Sequence, residues 1–392
     1  MTLLAELLAD RIRRFGPLTF ADYMRECLYH PVHGYYSKAE SKRFADYYTS
    51  VDVHPIFARL LARQFVEMWE SLGRPAEFTL VEAGAGAGRF AAYVLDFCEL
   101  KLPDFYDALR YVAVERSASR RDQAAMYAKR HADAEQFTAS AEVPAHIPAG
   151  CFFSNELVDA LPVHRIVMDG GVLKEILAGF HDGRFVDVVA PLSTCAITEY
   201  FAAQGIALRE GQHAEAGLEA CDWITEIGRR LERGYVLTID YGHPAAELFD
   251  ERHMRGTLLA YQNHRASEDF YASPGEQDLT AHANFTALES WGKRSGLETA
   301  GFTSQTAFLL ALGQGNEFAD LYDEGQTEAE RTRARLQLKT LIHPEGMGER
   351  FQALVQRKGV DASQLTGFKF YHQAFLAKNA TPPFALNHVC KC

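Results

Sequence analysis

Apolar positions recur three and four residues apart over "TLLAELLADRIRRF" (2–15), which predicts a helix stopped by Gly16-Pro17. The same spacing resumes from Thr19 to Cys27, with Thr19 placed as the N-cap, and runs again through "VHPIFARLLARQFVEMW" within Ser50–Trp69, ahead of Gly73. Between the last two lies "HPVHGYYS" (30–37), a turn-rich aromatic loop. Residues 1–75 are therefore read as a helical N-terminal segment.

From residue 78 the period changes. "FTLVEA" (78–83), "RYVAVERS" (110–117), "CFF" (151–153) and "GYVLTIDYG" (234–242) are short apolar runs, with helical stretches such as "RFAAYVLDFCEL" (89–100) between them. Strands of that kind, flanked by amphipathic helices, predict an α/β domain with a parallel sheet covered on both faces. That core is assigned to 76–162 and 220–312. Between Val163 and Leu192 the apolar residues alternate and the turns "DGG" and "HDGR" intervene, so 163–219 is read as an inserted antiparallel hairpin and helical segment. Residues 313–392 read as mainly helical and polar.

Composition narrows the function classes. The 392 residues are 47% hydrophobic and 23% charged, an ordinary balance for a chain with a large core, and the formal net charge is −12. That acidity argues against nucleic acid and anionic membrane surfaces as partners. The seven cysteines (27, 98, 151, 195, 221, 390 and 392) form no CxxC pair and no Cys/His cluster, which predicts reduced thiols in a reducing compartment. His30, His33 and His54 lack metal-ligand spacing, so no metal is expected. No apolar run is long enough to span a bilayer, and the start lacks a secretory h-region, so a cytoplasmic protein is expected. Nothing in the sequence sets the oligomeric state.

The stretch carrying chemistry is "LVEAGAGAGRF" (80–90). Three glycines after a buried strand allow a sharp turn and a close backbone approach to a ligand at the next helix's N-terminus. A phosphate-binding P-loop requires a lysine after the last glycine, and none follows. A dinucleotide fingerprint is met only by counting Gly86, Gly88 and Ala91, which keeps an NAD-dependent oxidoreductase as a rival. The arrangement Glu82-Ala83-Gly84-Ala85-Gly86-Ala87-Gly88 fits S-adenosylmethionine (SAM) without adjustment: Glu82 accepts from the ligand's ammonium, and the glycines admit its amino-acid portion. Glu115, 27 residues beyond Gly88 at the end of the next strand, is placed to hold the ribose hydroxyls. The adenine contact is expected near Gln136–Glu142.

Several segments together resemble the MidA-type SAM-dependent methyltransferases, relatives of the mitochondrial complex I assembly-factor methyltransferase. They are "TFADYMRECLYHPVHGYYS" (19–37), "DYYTSVDVHPIF" (46–57), the glycine loop, "SNELVDALPVHR" (154–165), "GTLLAYQNHR" (256–265) and "PGEQDLTAHANFTAL" (274–288). The family's GDF and TSPE stand here as Ala45-Asp46-Tyr47 and Thr49-Ser50-Val51-Asp52, a changed loop path near the cofactor. The resemblance implies a Rossmann-like SAM-binding core carrying the antiparallel insertion and helical additions at both ends. It also implies SAM as cofactor, with Thr49 and Asn155 beside it. The acceptor would be an arginine of a protein partner, a 49-kDa-type complex I subunit.

An arginine acceptor needs carboxylates that grip a guanidinium and aim one nitrogen at the methyl group. Glu156 and Asp159 follow the fourth strand at the sheet's functional edge, and at i and i+3 they share a face if the segment is helical. The structural alternative is a helix cap. Glu276 and Asp278 point the same way if their segment is extended, with His282 as proton acceptor, unless Thr280 merely caps a helix. Tyr241, in the Asp240-Tyr241-Gly242 turn, is placed to shape an acceptor channel or simply to close the strand. A non-catalytic SAM-binding assembly factor and a small-molecule methyltransferase are the remaining alternatives.

Overall fold

The computed structural model describes residues 1–37, 55–263, 265–343, 348, 350–361 and 364–369. Fifteen strands are present among them: β1 Phe78–Ala83, β2 Leu109–Val114, β3 Phe137–Ser140, β4 Ile147–Asn155, β5 His164–Asp169, β6 Val172–His181, β7 Arg184–Ala190, β8 His213–Ala216, β9 Leu231–His243, β10 Leu259–Gln262, β11 Arg265–Ser267, β12 Asp278–Thr280, β13 Ala283–Asn284, β14 Glu298–Ser304 and β15 Phe351–Lys358.

The central sheet runs β14-β15-β9-β4-β1-β2-β3, with β13 paired to the end of β9. Strands β3, β2, β1, β4 and β9 are mutually parallel: helices lie in the β1–β2, β2–β3 and β4–β9 connections, and the short loop 141–146 carries the chain from β3 to β4. Helices Ile56–Ser71 and Arg89–Lys101 cover one face, around Phe65, Phe90 and Phe153. Helices Leu218–Arg230 and Phe285–Arg294 cover the other, around Ile224, Leu288 and Trp291. Strand order reverses between β1 and β4, where Ala83 pairs with Ser154, so the loops leaving these two strands diverge and open a crevice.

The expected α/β fold is present, with one correction. The stretch beyond Gly315 is not only helical: Phe351–Lys358 inserts between β9 and β14, antiparallel to both. Phe351, Ala353 and Val355 alternate into the core, but Gln352 and Gln356 interrupt the apolar pattern. The Nε2 of buried Gln356 donates to the Leu288 carbonyl at 3.3 Å, while its Oε1 has no partner. Residues beyond Lys369 lie outside those described.

The inserted segment forms a four-stranded antiparallel sheet, β7-β6-β5-β8. A third sheet, β11-β10-β12, joins it to the core. The N-terminal helices Leu3–Phe15 and Phe20–Tyr29 are capped by Thr2 and Thr19, whose hydroxyls accept from Ala5 and Asp22 amides at 3.1 Å. Their apolar faces pack on β6 and the small third sheet through Leu4, Tyr23, Ala178 and Leu279. This brings Tyr29 and Tyr36 to the mouth of the crevice. The helix read within Ser50–Trp69 begins at Ile56 and ends at Ser71, and residues 50–54 lie outside those described. Among the described residues no helix is long and apolar enough to cross a membrane.

Candidate functional site

Two groups of polar side chains meet at the crevice. The first surrounds the glycine loop. Glu82, the next-to-last residue of β1, is buried, and the Tyr111 hydroxyl donates to its Oε2 at 2.7 Å. Burial pushes its carboxyl up to about 8, the tyrosine pulls it back, and Glu115 pushes it up further. A neutral acid at this point becomes charged when a cation arrives to offset the burial. Glu115 follows β2, and its carboxylate accepts from the amides of Gly86 at 3.1 Å and Ser117 at 2.8 Å.

The glycines have separate reasons. Gly84 has φ +76°, and a Cβ there would stand 3.1 Å from Leu157 Cδ1. Gly88, also at φ +76°, would place a Cβ 2.5 Å from that of Ala124, so it is set by helix packing rather than by a ligand. Asn155 ends β4; its amide donates to Glu156 at 3.1 Å, and its buried Oδ1 has no partner. Thr49, implied at the cofactor by resemblance, lies outside the described residues.

The second group is a cluster of carboxylates. Asp240, near the end of β9, is fully buried and spent on the backbone: Oδ2 accepts from Leu157, Val158 and Asp159 amides at 3.1, 2.8 and 3.4 Å, and Oδ1 from Tyr241 at 2.9 Å. It holds the turn Val158–Ala160 in place. Burial raises its carboxyl to about 7, against those amides. Asp159 is different. It is 5% exposed, its Oδ1 has no partner, and its carboxyl is raised by burial and then by Asp240, with the Tyr241 hydroxyl pulling it back. Asp278 opens β12, fully buried, and accepts from the Tyr36 hydroxyl at 2.8 Å. Tyr241 ties the parts together: its hydroxyl lies close enough to both Asp159 and Thr280 for each to shift its phenol, Asp159 upward and Thr280 downward.

Three expectations need correction. Glu156 and Asp159 do not share a helix face: Glu156 sits at φ +54° and the segment tightens into a 3-10 turn, because Asp240 gathers three successive amides. Glu156 nonetheless faces the cluster and adds to the potential at both Asp159 and Asp240. Glu276 and Asp278 do not alternate along one strand, since Glu276 lies in the turn before β12, its amide bonded to the Ser273 carbonyl. The helix cap belongs to Asn284, whose Oδ1 accepts from Ala287, and not to Thr280.

His282 is beside the cluster, 5.6 Å from the Tyr241 ring centroid. It packs against His243 at 5.5 Å and His253 at 6.4 Å. Burial and those neighbours lower its imidazole to about 4, so it is neutral at physiological pH and a weak proton acceptor. Among the described residues no group of three or more His, Cys, Asp or Glu is arranged to hold a metal ion.

Sequence reasoning missed Tyr36, Tyr111 and Thr280. Tyr111 had a signal, a phenol in the neighbouring strand opposite Leu80, two positions from Glu82 and so on the same face. Tyr36 had only its place in an aromatic loop.

Comparison with known proteins agrees with this geometry. Residues 60–303 match the family described as "Putative S-adenosyl-L-methionine-dependent methyltransferase". Protein arginine methyltransferase NDUFAF7, mitochondrial, from Danio rerio is 28% identical over 374 residues, covering 88% of this chain and 84% of that protein. The Homo sapiens protein of the same name is 28% identical over 369 residues, covering 87% and 80%. A crystal structure of a "likely methyl transferase" from Burkholderia thailandensis, bound to S-adenosyl-homocysteine, superposes with a TM-score of 0.85 at 29% identity, covering 95% of this chain and 96% of that one.

Proposed function

The chain belongs to this family and is a SAM-dependent methyltransferase, and we propose that its acceptor is an arginine side chain of a protein partner. The observation that carries this reading is Asp159. A buried carboxyl with an unpartnered oxygen, held against Asp240 and within the field of Asp278 and Glu156, is stabilised by an incoming cation. A planar guanidinium satisfies two such oxygens at once. The names of the relatives, protein arginine methyltransferases, point the same way. The nicotinamide rival has no counterpart in the family match or in these relatives.

At the other end of the crevice we assign cofactor binding to Glu82, to the loop of Gly84, Gly86 and Gly88, to Glu115 and to Asn155. Each offers what the ligand needs: a buried acid for the ammonium, a small-residue turn, an acceptor for the ribose hydroxyls and an unpaired amide oxygen. Bound SAM supplies an electrophilic methyl group on a sulfonium. The chain's own contribution is alignment, exclusion of water and removal of one proton from the acceptor nitrogen. Asp159 and Asp278 grip the guanidinium, Tyr241 and Tyr36 orient them, and Asp240 fixes the turn that carries Asp159. Asp159, ionised once the cation is seated, receives the proton. His282, neutral and weakly basic, packs behind Tyr241 rather than serving as the base. Glu156 and Glu276 contribute charge at the rim.

The partner to test first is a 49-kDa-type subunit of respiratory complex I. Incubated with methyl-labelled SAM and this protein, then hydrolysed, the subunit is expected to yield labelled methylarginine. Label in another amino acid would refute the arginine reading.

A further inference from the structure

A cavity of about 650 Å³ lies between the inserted sheet and the third sheet. Its floor is apolar, formed by Ile166, Leu258 and Phe270, with Met254 at one wall. Its two arginines are already paired. Arg165 makes a double ion pair with Asp187, at 2.6 and 3.0 Å, over the Phe270 ring. Arg255 faces Glu268 at 3.5 Å, and the Glu215 carboxylate accepts from the Thr257 amide and hydroxyl at 2.9 and 3.1 Å. A small anion gains no unmatched cation here. The volume exceeds what one arginine side chain fills and lies in the range of sites that enclose a drug-sized ligand.

The cavity shares a strand face with the carboxylate cluster. In the third sheet Leu259 pairs with Thr280 and Tyr261 with Asp278, so by alternation all four project from one face. Leu259 and His282 line the cavity. Asp278 and Thr280, on that same face, belong to the cluster, and Tyr261 lies within the field of Asp159 and Asp278. His282 also carries a buried Nδ1 with no hydrogen-bond partner, on an imidazole that is neutral above about pH 4.

We propose that this cavity seats the residues flanking the methylated side chain, as an extended peptide segment with an apolar residue beside the acceptor and a backbone group bonded to His282 Nδ1. The inference rests on the protein-acceptor reading above and deepens it. Peptide arrays of the form Ac-X-X-Arg-X-X-amide, with lysine arrays as controls, are incubated with methyl-labelled SAM and either the wild type or Met254→Trp, which narrows the cavity from one wall. Kd for the best peptide is measured separately by fluorescence anisotropy in the presence of S-adenosylhomocysteine.

The expected result is a preference for an apolar flanking residue in the wild type that is lost in the variant. Kd and KM rise at least tenfold, while S-adenosylhomocysteine affinity and turnover of acetyl-arginine amide are unchanged. Arg255→Glu, at a side chain 84% exposed, provides a second variant that does not disturb the core and is expected to shift the preferred charge at a flanking position. Unchanged Kd and preference in both variants overturn the proposal. If label goes to the lysine arrays instead, the arginine reading fails, and the same comparison on that array still decides the cavity. No transfer to any peptide overturns both.

Discussion

The two ends of the crevice are built from the same kind of group in opposite ways. At the β1 end the glycine loop and both its carboxylates come from one continuous stretch, Glu82 to Glu115, a single strand–helix–strand unit. At the β4–β9 end the cluster is drawn from Tyr36, Asp159, Asp240 with Tyr241, and Asp278, which meet only through the tertiary fold. Burial raises carboxyls at both ends, but the consequences differ. Glu82 already has a donor in Tyr111, whereas Asp159 keeps an oxygen with no partner. The cofactor end is preorganised, and the acceptor end carries an unmet demand for positive charge.

Within the acceptor end, Asp240 and Asp159 make the contrast sharpest. Both are buried aspartates, yet one is consumed by four backbone amides and the other keeps an oxygen with no partner. Asp240→Ala therefore leaves several buried N–H groups without acceptors, and we expect a loss of about 3 kcal/mol or more in stability, read by thermal or urea unfolding. Wild-type stability in that variant would erase the distinction between structural and functional aspartates.

A smaller effect is expected at the cofactor end. Glu115→Ala removes the acceptor for the Gly86 and Ser117 amides and for the ligand's hydroxyls. Calorimetry should show S-adenosylhomocysteine affinity falling about tenfold to thirtyfold. Undiminished affinity would remove Glu115 from the ligand site.

A further effect is graded with pH. Glu82 is neutral below about 8 in the free protein and must ionise to meet the ligand's ammonium. Affinity for S-adenosylhomocysteine should strengthen with rising pH, by up to about tenfold per unit below pH 8, and level off above it, with proton release on binding. Glu82→Gln should flatten the profile. The same raised carboxyl works against the free fold as pH increases: its stabilising contribution is complete below the unfolded value near 4 and is lost as pH climbs through about 8. Unfolding measured from pH 5 to 8 should show that slope shrinking in Glu82→Gln.

The contrast also explains what the sequence revealed. The order strand, Glu82, three glycines, helix, strand, Glu115 is local, so hydrophobic period and spacing suffice to read it. The parallel core is legible for the same reason. Strand β15 was hidden because Gln352 and Gln356 interrupt its pattern, and the acceptor for the buried Gln356 amide, the Leu288 carbonyl, lies 68 residues away. The helix expected at Glu156–Asp159 was overridden by a side chain 81 residues away, since Asp240 draws three successive amides into a tighter turn. No spacing rule reports that. Likewise Tyr36 reaches Asp278 across 242 residues, and only the docking of the N-terminal helices brings them together.

Asp159→Asn gives the most direct test of the central claim, because it keeps the shape and the near-neutral state of the buried group while removing its capacity to become a carboxylate. Single-turnover methyl transfer to an arginine acceptor should fall about 100-fold or more, with S-adenosylhomocysteine affinity and melting temperature at wild-type values. Wild-type transfer in this variant, or loss of S-adenosylhomocysteine binding without loss of stability, would contradict the division of the crevice into a cofactor end and an acceptor end.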